Sequence, residues 1–130
     1  MSAVRLATLD SSSPVVRGGS RVDHAALLEE LLEQEAALGV ARLSVFIVEP
    51  AGDFRRAILE ACQEVPIPHG KIQVATVERL LGRGFVIADE RAHDEAACHY
   101  HVHFPTPVGE SAVRAWYDCF DPPEPNPARA

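Results

Sequence analysis

The chain has 130 residues, a formal net charge of −7 and three cysteines, Cys62, Cys98 and Cys119. That length sets about one domain, with room for a core that needs no staple. The charge excludes the basic stripe by which proteins hold nucleic acid, and it argues against anionic membranes; three widely spaced cysteines are no disulfide framework and fit a reducing compartment.

Met1 to Asp10 lacks the basic and long apolar regions of a signal peptide. The longest apolar run, Val45 to Val48, is far short of the ~20 residues of a membrane span, so the expected location is cytoplasmic. Val4 to Leu9 reads as a short strand. Two turn clusters follow, Ser11 to Pro14 and Arg17 to Ser20, with Val15-Val16 between them, and part of residues 1–20 is expected to be flexible. Ser20-Arg-Val-Asp23 resembles a capping box opening a helix from Asp23 to Leu38. Its Leu27, Leu28, Leu31, Leu32 and Leu38 form an apolar stripe, and Gly39 is placed to end it. Its acids, Glu29 to Glu35, read as a solvated face.

Arg42 to Glu49 reads as a strand covered on both faces. Asp53 is placed to cap a second helix, in which Cys62 falls on the apolar stripe as a core residue and not as a nucleophile. Pro66 to Gly70 is a loop, and Lys71 to Ala75 a short strand. Thr76 caps a short helix that ends near Gly82 and Gly84. Phe85 to Ala88 and Cys98 to Phe104 are strands joined as a hairpin, with Asp89, Glu90, Asp94 and Glu95 as solvated loop acids. Ser111 is placed to cap a last helix carrying Val113, Trp116, Tyr117 and Phe120 inward. Residues 122–130 form a proline-rich tail, expected to be extended or disordered. The pattern predicts an α+β fold: a single small domain over residues 21–121, with a mixed or antiparallel sheet of about four to five strands and three to four helices packed on it.

The run His99-Tyr-His-Val-His103-Phe-Pro105 carries the chemistry. Side chains alternate across a strand, so His99, His101 and His103 share one face, while Cys98, Tyr100, Val102 and Phe104 take the other and pack on the core. A His-x-His pair on a strand suits a transition metal such as zinc. His99 and His103 lie roughly 13 Å apart at strand rise, so one ion takes two of the three histidines plus outside ligands. Asp89, His93, Asp94 and Glu95 are the candidates for these, with His69 as a more distant one. The metal set is therefore His99, His101, His103, His93 and Asp94. The same run also suits a pH-sensitive or partner-contacting surface, since imidazoles titrate near neutrality.

The motif also resembles the histidine triad of the HIT superfamily. That resemblance implies a nucleotide hydrolase or transferase in which His101 is the nucleophile on an α-phosphate, with His99 and His103 as supporting groups.

Two function classes follow. The first is a small soluble binding or regulatory module acting through a protein partner, with or without a metal on the histidine strand. The second is a small metal-dependent or HIT-like enzyme built on His101. With no Gly-x-Ser-x-Gly elbow and no glycine-rich phosphate loop in the sequence, the first is the expectation.

Overall fold

The computed structural model describes residues 6–91 and 96–129. The chain runs β1 (Pro14–Gly18), α1 (His24–Leu38), β2 (Arg42–Ile47), α2 (Phe54–Glu64), β3 (Lys71–Thr76), α3 (Val77–Gly82), β4 (Val86–Ala88), β5 (His99–His103), α4 (Glu110–Asp118), β6 (Glu124–Pro125) and a closing 3₁₀ turn, Pro127–Arg129. The strands form one sheet in the order β4-β5-β2-β1-β3-β6, and every pairing is antiparallel. The molecule is thus broadly α+β, with four helices and six strands where four to five strands were expected. No helix among the described residues is long and apolar enough to cross a membrane.

The strand count differs for a physical reason at each place. Val15 and Val16 make too short an apolar run to signal a strand. Yet β1 lies between β2 and β3, and both valines are fully buried, one on each face of the sheet. Of the strand read at Val4 to Leu9, the described residues form an isolated bridge of Leu6 with Ala88, supported by Ala7 N donating to Ile87 O at 3.0 Å, while Val4 and Arg5 lie outside the described residues.

Local signals set the helix ends. Asp23 is itself the cap of α1, accepting from Ala26 N at 3.0 Å, in place of a box opened by Ser20. Gly39 closes α1 at φ +76°, a left-handed conformation that costs glycine little. Asp53 caps α2 through Arg56 N, and Thr76 caps α3 through Arg79 N. The last helix begins one residue before Ser111, at Glu110, and Gly109 ahead of it supplies no side-chain cap.

Strand alternation splits the interior into two cores. Val15, Val45, Ile47, Ala75, Ile87 and Val102 face one way and pack with Leu27 and Leu31 of α1, Leu80 of α3 and Val113 and Trp116 of α4. Trp116 is fully buried, with the rings of Phe120, Phe104 and Phe85 at 4.7, 5.3 and 5.8 Å. On the other face Val16, Ile72 and Val74 meet Ile58, Ala61 and Cys62 of α2. Each fully buried aliphatic side chain contributes about 1.5–3 kcal/mol. Burial also pushes the Cys62 thiol up to about 11, with Glu124 adding to it, in keeping with a core role.

The proline-rich segment, expected to be extended or disordered, forms β6 and the 3₁₀ turn. The reason is one residue among the prolines. Asn126 is buried; its Nδ2 donates to Ile67 O at 3.2 Å and to His69 O at 3.0 Å, and its Oδ1 accepts from Ala128 N. A polar side chain with so many partners ties the segment to the loop before β3. Asn126→Ala would leave those buried groups unpaired at a cost of roughly 1–3 kcal/mol. Chemical denaturation checks this, and a change under about 0.5 kcal/mol would contradict the clamp.

Candidate functional site

β5 lies between β4 and β2, and its register fixes what surrounds the histidines. His99, His101 and His103 pair across to Phe46, Ser44 and Arg42 of β2. His101 and His103 also pair with Ala88 and Val86 of β4. Antiparallel partners share a face, so these eight residues make one patch. Val102 and Phe104 are buried in the first core as the sequence predicts, whereas Cys98, expected on that same face, is buried beside Glu64 and Cys62 of α2. Tyr100 is partly buried against the first core.

The centre of the patch is Glu90, just past the end of β4. Its Oε1 lies 3.0 Å from Arg42 Nη1, 2.7 Å from His103 Nε2 and 3.5 Å from His101 Nδ1. The side chains of Glu90, His101 and His103 are only 20%, 15% and 14% exposed, so these charges interact in a partly desolvated setting. Burial by itself raises the Glu90 carboxyl. The hydrogen bonds and charges of His103 and Arg42 outweigh it, and Glu90 ends below the ordinary glutamate range.

The third histidine has different company. His99 Nε2 is 2.9 Å from Ser44 Oγ, and its ring packs on Phe46 at 5.5 Å and on His101 at 4.9 Å. The serine hydroxyl can donate to or accept from His99 Nε2, whereas the Glu90 carboxylate beside His103 Nε2 only accepts.

The structure sorts the other expected ligands. The two oxygens of Asp89 hold Arg91 Nε and Nη2 at 2.8 and 2.7 Å, and the Arg91 guanidinium lies 5.4 Å from the centre of the Tyr100 ring. His69 packs against β1, two places along the sheet from β5. His93, Asp94 and Glu95 lie outside the described residues. Burial, with Glu64 next, pushes the Cys98 thiol up to about 11, which disfavours the thiolate a metal needs. Among the described residues no group of three His, Cys, Asp or Glu has a spacing that could hold a metal ion.

Sequence reasoning placed Glu90 among solvated loop acids and assigned Arg42 and Ser44 no site role. The structure brings all three to the histidines. Their signal was present as parity: Arg42 and Ser44 alternate on β2 just as the histidines do on β5, but only the register shows that they share a face. Comparison with protein-family models, with curated proteins and with solved structures finds no match to this chain, so its chemistry has to be read from its own residues.

Because Glu90 is held below its ordinary range, the folded state binds its proton less tightly than the unfolded chain does. Its stabilisation is full above the ordinary glutamate range and fades as pH falls through the folded value. Glu90→Gln should therefore lower stability at pH 7 by on the order of 1 kcal/mol, and the difference from wild type should close below about pH 4. Urea denaturation across pH checks this. A gap that persists at low pH would show that Glu90 acts by packing and not by charge.

Proposed function

We propose that the chain is a small binding or regulatory module that docks a protein partner on the histidine-bearing face of its sheet. The observation that carries this reading is the convergence of Arg42, His101 and His103 on the single carboxylate of Glu90. An Arg and a Glu hold the imidazoles in fixed orientation, which lowers the entropy lost when a partner group is bound. Val86, 39% exposed and opposite His103, adds an apolar contact beside the polar groups, the mixture found in protein interfaces.

A second reading, a hydrolase or transferase with His101 as nucleophile, draws on one contact. A carboxylate beside Nδ1 orients an imidazole so that its other nitrogen faces outward, the arrangement a nitrogen nucleophile requires. A metal-holding form of the module would require these side chains to rearrange, since among the described residues no three His, Cys, Asp or Glu are spaced to hold an ion.

Native-lysate capture with untagged-surface wild type and a His99→Ala/His103→Ala variant tests the primary reading. The expected result is a stoichiometric protein partner retained by wild type and lost by the variant, with equal folding of both by circular dichroism. A partner held equally by both, or none held by either, would falsify docking on this face. Elemental analysis of the same two proteins decides the metal form, and nucleotide turnover lost in His101→Ala would favour the enzyme.

A further inference from the structure

A second surface lies on the far side of the sheet from the histidines, where α1 and α4 pack on the core around Val102 and Trp116. Between them the two helices leave a groove of about 340 Å³, lined by His24, Ala25 and Leu28 of α1 and by Glu110, Val113 and Arg114 of α4. The groove continues along α1. Ala25, Leu28, Leu32 and Ala36 follow at i, i+3, i+7 and i+11, which makes one apolar stripe, and Leu32 on it is 45% exposed. Leu27 and Leu31, on the neighbouring stripe, are the leucines of α1 that are fully taken into the core. The helix is thus apolar over a wider arc than its own core uses, which marks an interaction surface.

The acids of α1 divide by what they meet. Glu35 turns to the chain ahead of α4, its Oε2 accepting from Val108 N at 2.8 Å. Glu30 acts on the Arg17 guanidinium from the opposite flank of the helix. Glu29 and Glu33 are exposed and lie at i and i+4 along the outer margin of the apolar stripe. Glu110 stands on the other wall, so three carboxylates border the groove against the one guanidinium of Arg114. Like charges at i and i+4 repel, and a cation set between Glu29 and Glu33 relieves that repulsion.

We propose that this groove docks an amphipathic helix of a partner protein whose polar side is basic, with its aliphatic side chains on Leu28 and Leu32 and its Lys or Arg beside Glu29, Glu33 and Glu110. A helix laid in a groove is held through anchors at i, i+3, i+4 and i+7, a spacing that matches the stripe on α1. Opposite charge on the rim speeds the encounter and fixes the register. A second copy of the chain would bring one net charge of −7 against another, and an anionic membrane would meet the same acids, so neither suits the groove. The surface is independent of the histidine face, because Leu27, Leu31 and Val113 pack on the side of β5 that Val102 takes.

Fluorescence anisotropy at near-physiological salt tests this on the full chain with labelled synthetic peptides of about four helical turns. The first is a leucine and lysine helix with its leucines at the anchor spacing. The second keeps that composition and scrambles the spacing, and the third carries glutamate in place of lysine. Expected are one-to-one binding of the first, about tenfold weaker binding of the second, and none of the third. Leu32→Gln should weaken the first peptide about tenfold, whereas Leu81→Gln, also exposed but on α3, should not. Glu29→Gln/Glu33→Gln should weaken it about tenfold, whereas Glu60→Gln/Glu78→Gln, the same charge change on α2 and α3, should stay within about twofold. All of these positions are exposed, and circular dichroism checks that every variant folds equally. The His99→Ala/His103→Ala variant should bind the first peptide as wild type does. The inference is overturned if the first peptide does not bind, if the scrambled one binds equally, or if that histidine variant loses binding. It is overturned too if the paired variants act alike, since that is net charge and not a groove. A concentration-dependent dimer in sedimentation, abolished by Leu32→Gln, would overturn the basic partner in favour of a second copy.

Discussion

The register of β5 between β2 and β4 governs both the core and the surface of this half of the molecule. With Val102 opposite Leu43 and Ile87, the apolar residues enter the core that holds Trp116. The same pairing puts His101 beside Ser44 and His103 beside Arg42. A slip of one residue would turn Val102 outward and bury the imidazoles against Phe104 and Trp116, losing apolar burial and stranding polar nitrogens at once. The patch of histidines is thus specified by the core beneath it.

Electrostatics then divides the molecule's few cations into two roles. On β2 and beyond β4, Arg42 and Glu90 neutralise one another and in doing so fix His103 and His101. At the far end of β1, Arg17 is held instead against the rings of Trp116, Tyr117 and Phe120, with Glu30 acting on its charge from α1. Asn126 ties the other side of that end to the fold's closing segment, since the loop that carries His69 is held by a residue near the C-terminal end of the described chain.

Much of the fold was legible in the sequence, because helices announce themselves by period and cap. Gly39, Asp53 and Thr76 act as read, and the shared face of the three histidines follows from strand alternation alone. What was not legible depends on partners distant in sequence. β1 is two valines whose hydrogen bonds come from β2 and β3, and β6 exists because Asn126 finds carbonyls nearly 60 positions earlier in the chain. Glu90 and Asp89 are adjacent acids of the same chemistry. Their roles split because consecutive residues leave a strand on opposite faces, sending Asp89 to Arg91 and Glu90 to the histidines.

The central claim is that Glu90 organises the histidine face, and nitrogen-15 NMR of the imidazoles reads it directly. At pH 7.5 the account predicts that His103 carries its proton on Nε2, facing Glu90, with slow exchange against solvent, and that Glu90→Ala releases His103 into a tautomer mixture with fast exchange. Identical His103 spectra in wild type and Glu90→Ala would contradict it and reduce the patch to independent histidines on a strand.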